Sequence, residues 1–231
     1  MKNKKIVALL PMKANSERVK GKNFKLLAGK PLFKWILDAL LANEAIDAVV
    51  INTDAKSILL KNGLVESERL IIRERKAELC GDFVSMNLIL ADDIANVPAD
   101  AYLMTHTTNP LISSKTINDA IRVYNDGLND FDSLFSVNKV QTRFYREDMS
   151  PVNHNPDELI RTQDLEPWYE ENSCIFLFSS ESFATSNARI GKKPQMFITP
   201  ALESIDIDEP EDWEMASALA EYLTLKQKEL T

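Results

Sequence analysis

Cysteine is scarce: the chain carries two, Cys80 and Cys174, far apart and in no CxxC pair. That excludes a disulfide scaffold and a cysteine-rich zinc site. Both thiols are expected as small buried apolar groups. Basic charge is not in excess either. Lys and Arg number 27 against 35 Asp and Glu, a net charge of −8, whereas a binder of nucleic-acid backbone carries the opposite balance. A local basic pocket for a small anion stays open. No apolar run approaches the ~20 residues of a membrane span. Behind the basic start, residues 6–10 are apolar, but Pro11, Met12 and Lys13 break the run before it reaches the ~7–15 residues of a signal-peptide core. The expectation is a cytoplasmic chain that engages neither nucleic acid nor membrane. GxxxxGK[ST] and GxGxxG are both missing, so the sequence has neither a P-loop nor a dinucleotide fingerprint.

What is present describes a globular protein. Its 231 residues, 45% hydrophobic and 27% charged, can bury a core without staples. With no repeat, low-complexity tract or Pro/Gly/Ser linker, residues 1–231 read as one domain. Short continuous apolar runs at 6–10, 47–52, 70–72, 101–104, 133–137, 174–178 and 196–198 predict strands buried on both faces. Helical patterns lie between them. One opens at Pro31 with Leu32, Ile36, Leu37, Leu40 and Leu41. A second covers 85–95 with Leu88, Ile89, Ala91 and Ile94 on one side, and a third runs from Ser113 or Ser114 to Val123. The last begins at Pro210 with Trp213, Met215, Ala216, Leu219 and Leu223. The alternation predicts an α/β fold, an open and mostly parallel sheet with helices on both faces. Ligands of such sheets bind beyond the carboxyl ends of the strands, where the polar groups after Leu10, at Asp54 and at His106 fall. Residues 139–168 are polar and aperiodic. A loop of that length is usually functional or an interaction arm.

Two segments carry chemistry. Residues 11–23, PMKANSERVKGKN, crowd Lys13, Arg18, Lys20 and Lys22 around the small residues Ala14, Asn15 and Ser16. Loop N–H groups with cations make an anion site; a solvated basic loop is the alternative. Near the other end, Asp206 and Asp208 flank Ile207. In extended chain, side chains two apart share a side, and two carboxylates suit Mg²⁺, which takes one or two of them plus phosphate oxygens and water. The alternative is a surface pair at the start of the last helix, where Glu209, Glu211 and Asp212 also stand. Asp54 closes a strand and competes with the role of a helix cap.

The stretch ALLPMKANSERVKGKNFKLLAGKPLFKW resembles the opening of the cytidylyltransferases that make CMP-activated acidic sugars, the acylneuraminate cytidylyltransferase family. Ser16, Lys22, Asn23, Gly29, Lys30 and Pro31 match its pattern. Three further stretches resemble the family in the right order: Arg75-Lys76-Ala77-Glu78-Leu79 with Asp82, His106 to Leu111 (HTTNPL), and Ile205-Asp206-Ile207-Asp208 with Pro210-Glu211-Asp212-Trp213. The likeness spans nearly the whole chain and is specific for the family, not for one sugar. It departs in three places. Lys13 stands for the family's arginine and cannot make a bidentate fork. A loop glycine is missing before Ser16. His106 replaces the usual glutamine.

The resemblance implies a Rossmann-like nucleotidyltransferase with a protruding dimerisation arm at 139–168, acting as a homodimer. It implies Mg²⁺-dependent transfer of CMP from CTP to a sialic, pseudaminic, legionaminic or ulosonic acid. Lys13, Lys22 and Asp208 would be the catalytic positions. Met12, Lys13, Ala14, Ser16, Lys22, Asn23, Arg75, Val84 and Met86 would hold the nucleotide, with Arg73 and Lys76 as competitors for the place of Arg75. Asp206 and Asp208 would hold the metal. His106, Arg143, Arg146, Arg161 and Asn172 would face the sugar, and His154 is expected to be simply exposed. No residue is an evident general base; a metal-activated hydroxyl and Asp54 both stay open. The rivals are a nucleotide-sugar glycosyltransferase using the D-x-D pair and a catalytically weak nucleotide-binding relative.

Overall fold

The computed structural model describes residues 4–14, 18–158 and 160–229. Strand β1 (Ile6–Leu9) is followed by the basic loop, a 3-10 turn at Lys22–Phe24, and a two-residue hairpin of β2 (Leu26–Leu27) and β3 (Lys30–Pro31). Ala28 and Gly29 both have positive φ, 45° and 82°, as a tight primed turn requires. Then come α1 (Leu32–Leu41), β4 (Ala48–Thr53), α2 (Lys56–Lys61), β5 (Leu70–Glu74), α3 (Met86–Asn96), β6 (Ala101–Met104) and α4 (Ser114–Gly127). The chain ends with β7 (Ser133–Val140), β8 (Trp168–Phe178), α5 (Ser180–Ser186), β9 (Pro194–Ile198) and α6 (Pro210–Glu229).

Seven strands form one sheet in the order β5-β4-β1-β6-β8-β7-β9. Leu9 pairs with Val50 of β4 on one side and Met104 of β6 on the other, both in parallel. The β8 strand alone runs against its neighbours, pairing Leu103 and Leu134 with Leu177. The chain leaves β1 toward β4 and β5, then returns past β1 to β6. The carboxyl end of β1 is therefore the topological switch point, where crevices form in such sheets. The mostly parallel α/β sheet expected from the sequence is the sheet observed.

Burial on both faces explains the strands' continuous apolar character. Ala8, Leu10, Val49, Ile51 and Leu103 point into a core shared with α1, α2 and α4. Val7, Leu9, Val50, Tyr102 and Met104 point into another shared with α3 and α5. Each fully buried aliphatic side chain contributes roughly 1.5–3 kcal/mol. A third, smaller cluster of Val19, Leu27, Leu32, Leu111, Ile207, Trp213, Ala216 and Ala220 joins the basic loop to the start of α6. That cluster brings the two ends of the sequence together.

Three packing expectations need correction. Cys174 is buried, but Cys80 is exposed on the loop after β5. Leu88 and Met215 also face outward, because α3 and α6 bury a narrower stripe than their apolar content suggests. Beyond the pairing of Val137 with Ile198, β7 and β8 continue as a two-stranded ribbon, Asn138 to Val140 against Trp168 to Glu170. Of the stretch read as an aperiodic loop, residues 139, 140 and 168 belong to this ribbon; the described remainder is loop with a 3-10 turn at Thr162–Asp164, and Phe144 stacks on Trp168 at 5.2 Å. Among the described residues no helix is long and apolar enough to cross a membrane.

Candidate active site

A cleft of about 420 Å³ opens at the switch point, within the ~300–1,000 Å³ of small-molecule sites. Its walls come from the loop after β1, from Arg75 and the loop that follows it, and from His106, Thr107 and Thr108 after β6.

The loop after β1 is fixed through its backbone. Met12 donates to the carbonyl of Asn52 at 3.1 Å, and Ala14 N–H donates to Asp54 Oδ1 at 2.7 Å. Asp54 thus anchors this loop; the cap position of α2 is held by Ala55, with no side-chain cap. Asn23 is buried, donating to the carbonyl of Lys13 at 2.7 Å and accepting from the Thr107 hydroxyl at 2.6 Å. The Lys13 ammonium reaches Asp82 at 2.8 Å across the cleft. Ser16 lies outside the described residues.

Of the three cations near residue 75, Arg75 is the one in the cleft wall. It donates from Nε to Asn52 Oδ1 at 2.9 Å, and from Nη2 to the carbonyls of Asn52 at 2.7 Å and Met12 at 3.1 Å. Burial lowers its pKa, opposed by the charge of Asp54. Arg73 pairs with Asp92 and Asp93, and Lys76 with Asp92. Asp93 also accepts from Asn52 Nδ2 at 2.8 Å. A buried chain from Arg73 through Asp93 and Asn52 therefore sets the orientation of Arg75. Val84 and Met86 complete this side of the cleft.

The acid pair stands beside the cleft, against Lys22 and Arg18 of its lining. Ile207 is fully buried in the third cluster, and its N–H donates to the carbonyl of Thr108 at 2.9 Å. Lys22, itself buried, donates to the carbonyl of Ile207 and lies 3.4 Å from Asp208 Oδ1. Arg18 joins the same carboxylate at 3.1 Å. Burial first, then the Asp208 charge, pushes the Asp206 carboxyl up, while a hydrogen bond with Thr108 and the charge of Lys22 oppose this. Asp206 Oδ1 is buried without a hydrogen-bond partner. Asp212 accepts from the N–H groups of Asp208 and Glu209 at 2.9 and 2.7 Å, which holds its carboxyl low. It is the third residue of α6 and reaches back to the backbone in front of the helix, as the acid of a capping box does.

No group of three or more potential ligands among the described residues can hold a metal alone. An unpaired buried carboxylate oxygen next to a second carboxylate nevertheless fits a Mg²⁺ whose remaining ligands are phosphate oxygens and water.

His106 lines the cleft. Burial, helped by the Arg189 charge, lowers its pKa to about 4, so the ring is neutral at pH 7. The other residues expected at the sugar are not brought to this cleft within the chain. Arg143 donates to the carbonyl of Ile160, Arg146 to Ser150 Oγ at 3.3 Å, and Arg161 pairs with Asp164 at 2.7 Å. All three satisfy local acceptors between β7 and β8. Asn172 is buried at a bulge where Ser173 takes φ 57°. It accepts from Ser136 Oγ at 2.6 Å and donates to Asn138 Oδ1 and Thr199 Oγ1 at 2.9 and 2.6 Å. His154 packs on Tyr145, 2.8 Å from its hydroxyl, inside the same segment. Sequence reasoning missed Arg189, whose guanidinium lies 3.3 Å from His106 Nε2; it sits in a turn after α5 with no motif around it.

A nucleotide-sized cleft at the switch point of an α/β sheet, lined by a cationic loop whose Lys22 and Arg18 meet an acid pair, is the site of a nucleotidyltransferase. The chain belongs to the cytidylyltransferase family, whose model it matches over residues 7–230. It is 29% identical to the CMP-N,N'-diacetyllegionaminic acid synthase of Legionella pneumophila over 94% of this chain and 97% of that protein. It is 26% identical to N-acylneuraminate cytidylyltransferase A of Danio rerio over 93% of this chain, spanning about half (50%) of that longer protein. In fold it is similar to a CMP:2-keto-3-deoxy-manno-octonic acid synthetase solved with CTP, with a TM-score of 0.64 and 14% identity, covering 94% of this chain and 99% of that one.

Proposed function

We propose that this chain transfers CMP from CTP to the anomeric hydroxyl of an acidic eight- or nine-carbon keto sugar. The observation that carries the reading is the meeting of Lys22 with Ile207 and Asp208 beside the cleft. A cation for phosphate and carboxylates for a metal thereby serve one nucleotide. The relatives named above as synthases of CMP-linked acidic sugars supply the substrate class. In the reaction the sugar oxygen bonds to the α-phosphorus, the bond to the pyrophosphate oxygen breaks, and the hydroxyl proton passes to solvent.

Such chemistry depends on positioning and charge neutralisation. Lys13 and Lys22 hold the triphosphate. Lys13 exchanges Asp82 for phosphate, and Lys22 stays anchored on the Ile207 carbonyl. Asn23, Arg75, Val84 and Met86 surround the base. Asp206 and Asp208 would hold Mg²⁺, which supplies neutralisation of charge on the phosphate oxygens. His106 offers a neutral hydrogen-bonding edge toward the sugar. The ribbon of β7 and β8, with the segment between them, is the dimerisation arm of a homodimer and extends toward the partner's sugar site. A sedimentation mass near one chain, 26.1 kDa, would count against that arrangement. A cytoplasmic location is part of this reading.

The test is incubation with CTP, Mg²⁺ and, one at a time, N-acetylneuraminic, pseudaminic, legionaminic and 3-deoxy-octulosonic acids, reading pyrophosphate and the CMP-sugar. Release with at least one acid is expected. Silence with all four, or turnover of nucleotide-sugar donors instead, would overturn the reading.

A further inference from the structure

Arg189 lies behind His106, next to the cleft but outside the motifs of the sequence. Three features of its environment converge. First, its guanidinium carbon lies over the ring of Phe176, 3.9 Å from the ring centre, a cation–π contact that arginine makes more often than lysine. Second, its side chain keeps only 22% of its exposure, so it is largely withdrawn from bulk water. Third, its polar contacts are poor for a charged donor that has lost so much water. They are 3.3 Å to His106 Nε2, 3.4 Å to Glu171 Oε1 and 3.9 Å to Met104 Sδ. A well-made charge-assisted bond is about 2.7–2.9 Å long. A five-donor fork with three long contacts, fixed against a ring and facing a cleft residue, is built to take a better acceptor than it has.

We infer that Arg189 is a specificity-determining residue that receives the carboxylate of the sugar substrate, with His106 beside it. This deepens the proposed function and rests on it. Within this chain the arm arginines are committed to Ile160, Ser150 and Asp164. Arg189 is the cation in contact with a residue of the cleft on its sugar side. Glu171 stands in for the substrate anion at 3.4 Å and is displaced by it. His106, whose Nε2 faces the guanidinium, bears its ring proton on Nδ1 when neutral and remains a donor.

The experiment compares wild type, Arg189→Gln and Arg189→Lys on the acid sugar that wild type turns over fastest in the four-acid panel, and on that sugar's methyl ester. Each substrate is varied at saturating CTP, and CTP is varied in turn. Arg189→Gln is expected to raise KM for the acid at least tenfold while KM for CTP stays within twofold. The preference of wild type for acid over ester should collapse toward unity in Arg189→Gln. Arg189→Lys, with charge but no fork, should fall between. An unchanged acid-to-ester ratio in Arg189→Gln, or KM rising equally for CTP and acid, overturns the inference while the transferase reading stands. Wild type inert toward all four acids removes that reading, and this one with it.

Discussion

The buried ammonium of Lys22 lies 3.4 Å from Asp208 Oδ1 and donates to the carbonyl of Ile207, although 186 positions separate the first two residues. The third apolar cluster makes this meeting possible by locking Val19 and Leu27 against Ile207 and Trp213. Lys22→Met keeps the stem but removes the cation and leaves the Ile207 carbonyl without that donor, at a cost of about 1–3 kcal/mol. Pyrophosphate release should fall at least 100-fold, with a modest drop in Tm. Activity within a factor of three of wild type would separate Lys22 from the triphosphate.

Arg75 presents a fork to three acceptors, two of them carbonyls. Arg75→Lys keeps the charge and loses the fork. KM for CTP should rise about tenfold or more, and preference for CTP over UTP should weaken, because the wall of the base site is no longer held flat. Measured side by side, unchanged CTP and UTP constants would place the base elsewhere.

His106 links folding to pH. Its folded pKa is lowered from 6.5 to about 4, so between these values the unfolded chain binds the extra proton. The contribution is present above pH 6.5 and is lost as pH falls through the window, at most about 3 kcal/mol. In His106→Gln that slope should be missing. Urea midpoints of the two proteins, taken from pH 7 to pH 4, should converge or cross as wild type loses its share. Parallel curves would mean the imidazole is not desolvated. In NMR the wild-type ring should stay neutral down to about pH 5.

The sheet was legible because strands covered on both faces need no alternation, so residues 6–10 and 101–104 announce themselves as short apolar runs. The reversal of β8 was not, since a fully buried strand reads alike in either direction. The acid pair and the basic loop were visible as motifs; that they touch depends on Ile207 and Trp213 packing on Val19, contacts without a local signal. Arg73, Arg75 and Lys76 were indistinguishable by type. Only Asp92 and Asp93, on a helix about twenty residues on, sort them. Asn172 is a different case. The resemblance to the family points it at the sugar, and within this chain the bulge at Ser173 turns it toward Ser136, Asn138 and Thr199. Arg189 left no trace in the sequence because its partners come from β6, β8 and the turn after β6.

The most direct measurement is the affinity of CTP by calorimetry, with and without Mg²⁺, for wild type and for Asp206→Asn/Asp208→Asn. Wild type should bind CTP at least tenfold more tightly with Mg²⁺, and the double variant should lose that gain while remaining folded. A CTP affinity that ignores Mg²⁺ in wild type, or an equal Mg²⁺ gain in both proteins, would contradict a single nucleotide-metal site shared by the two ends of the chain.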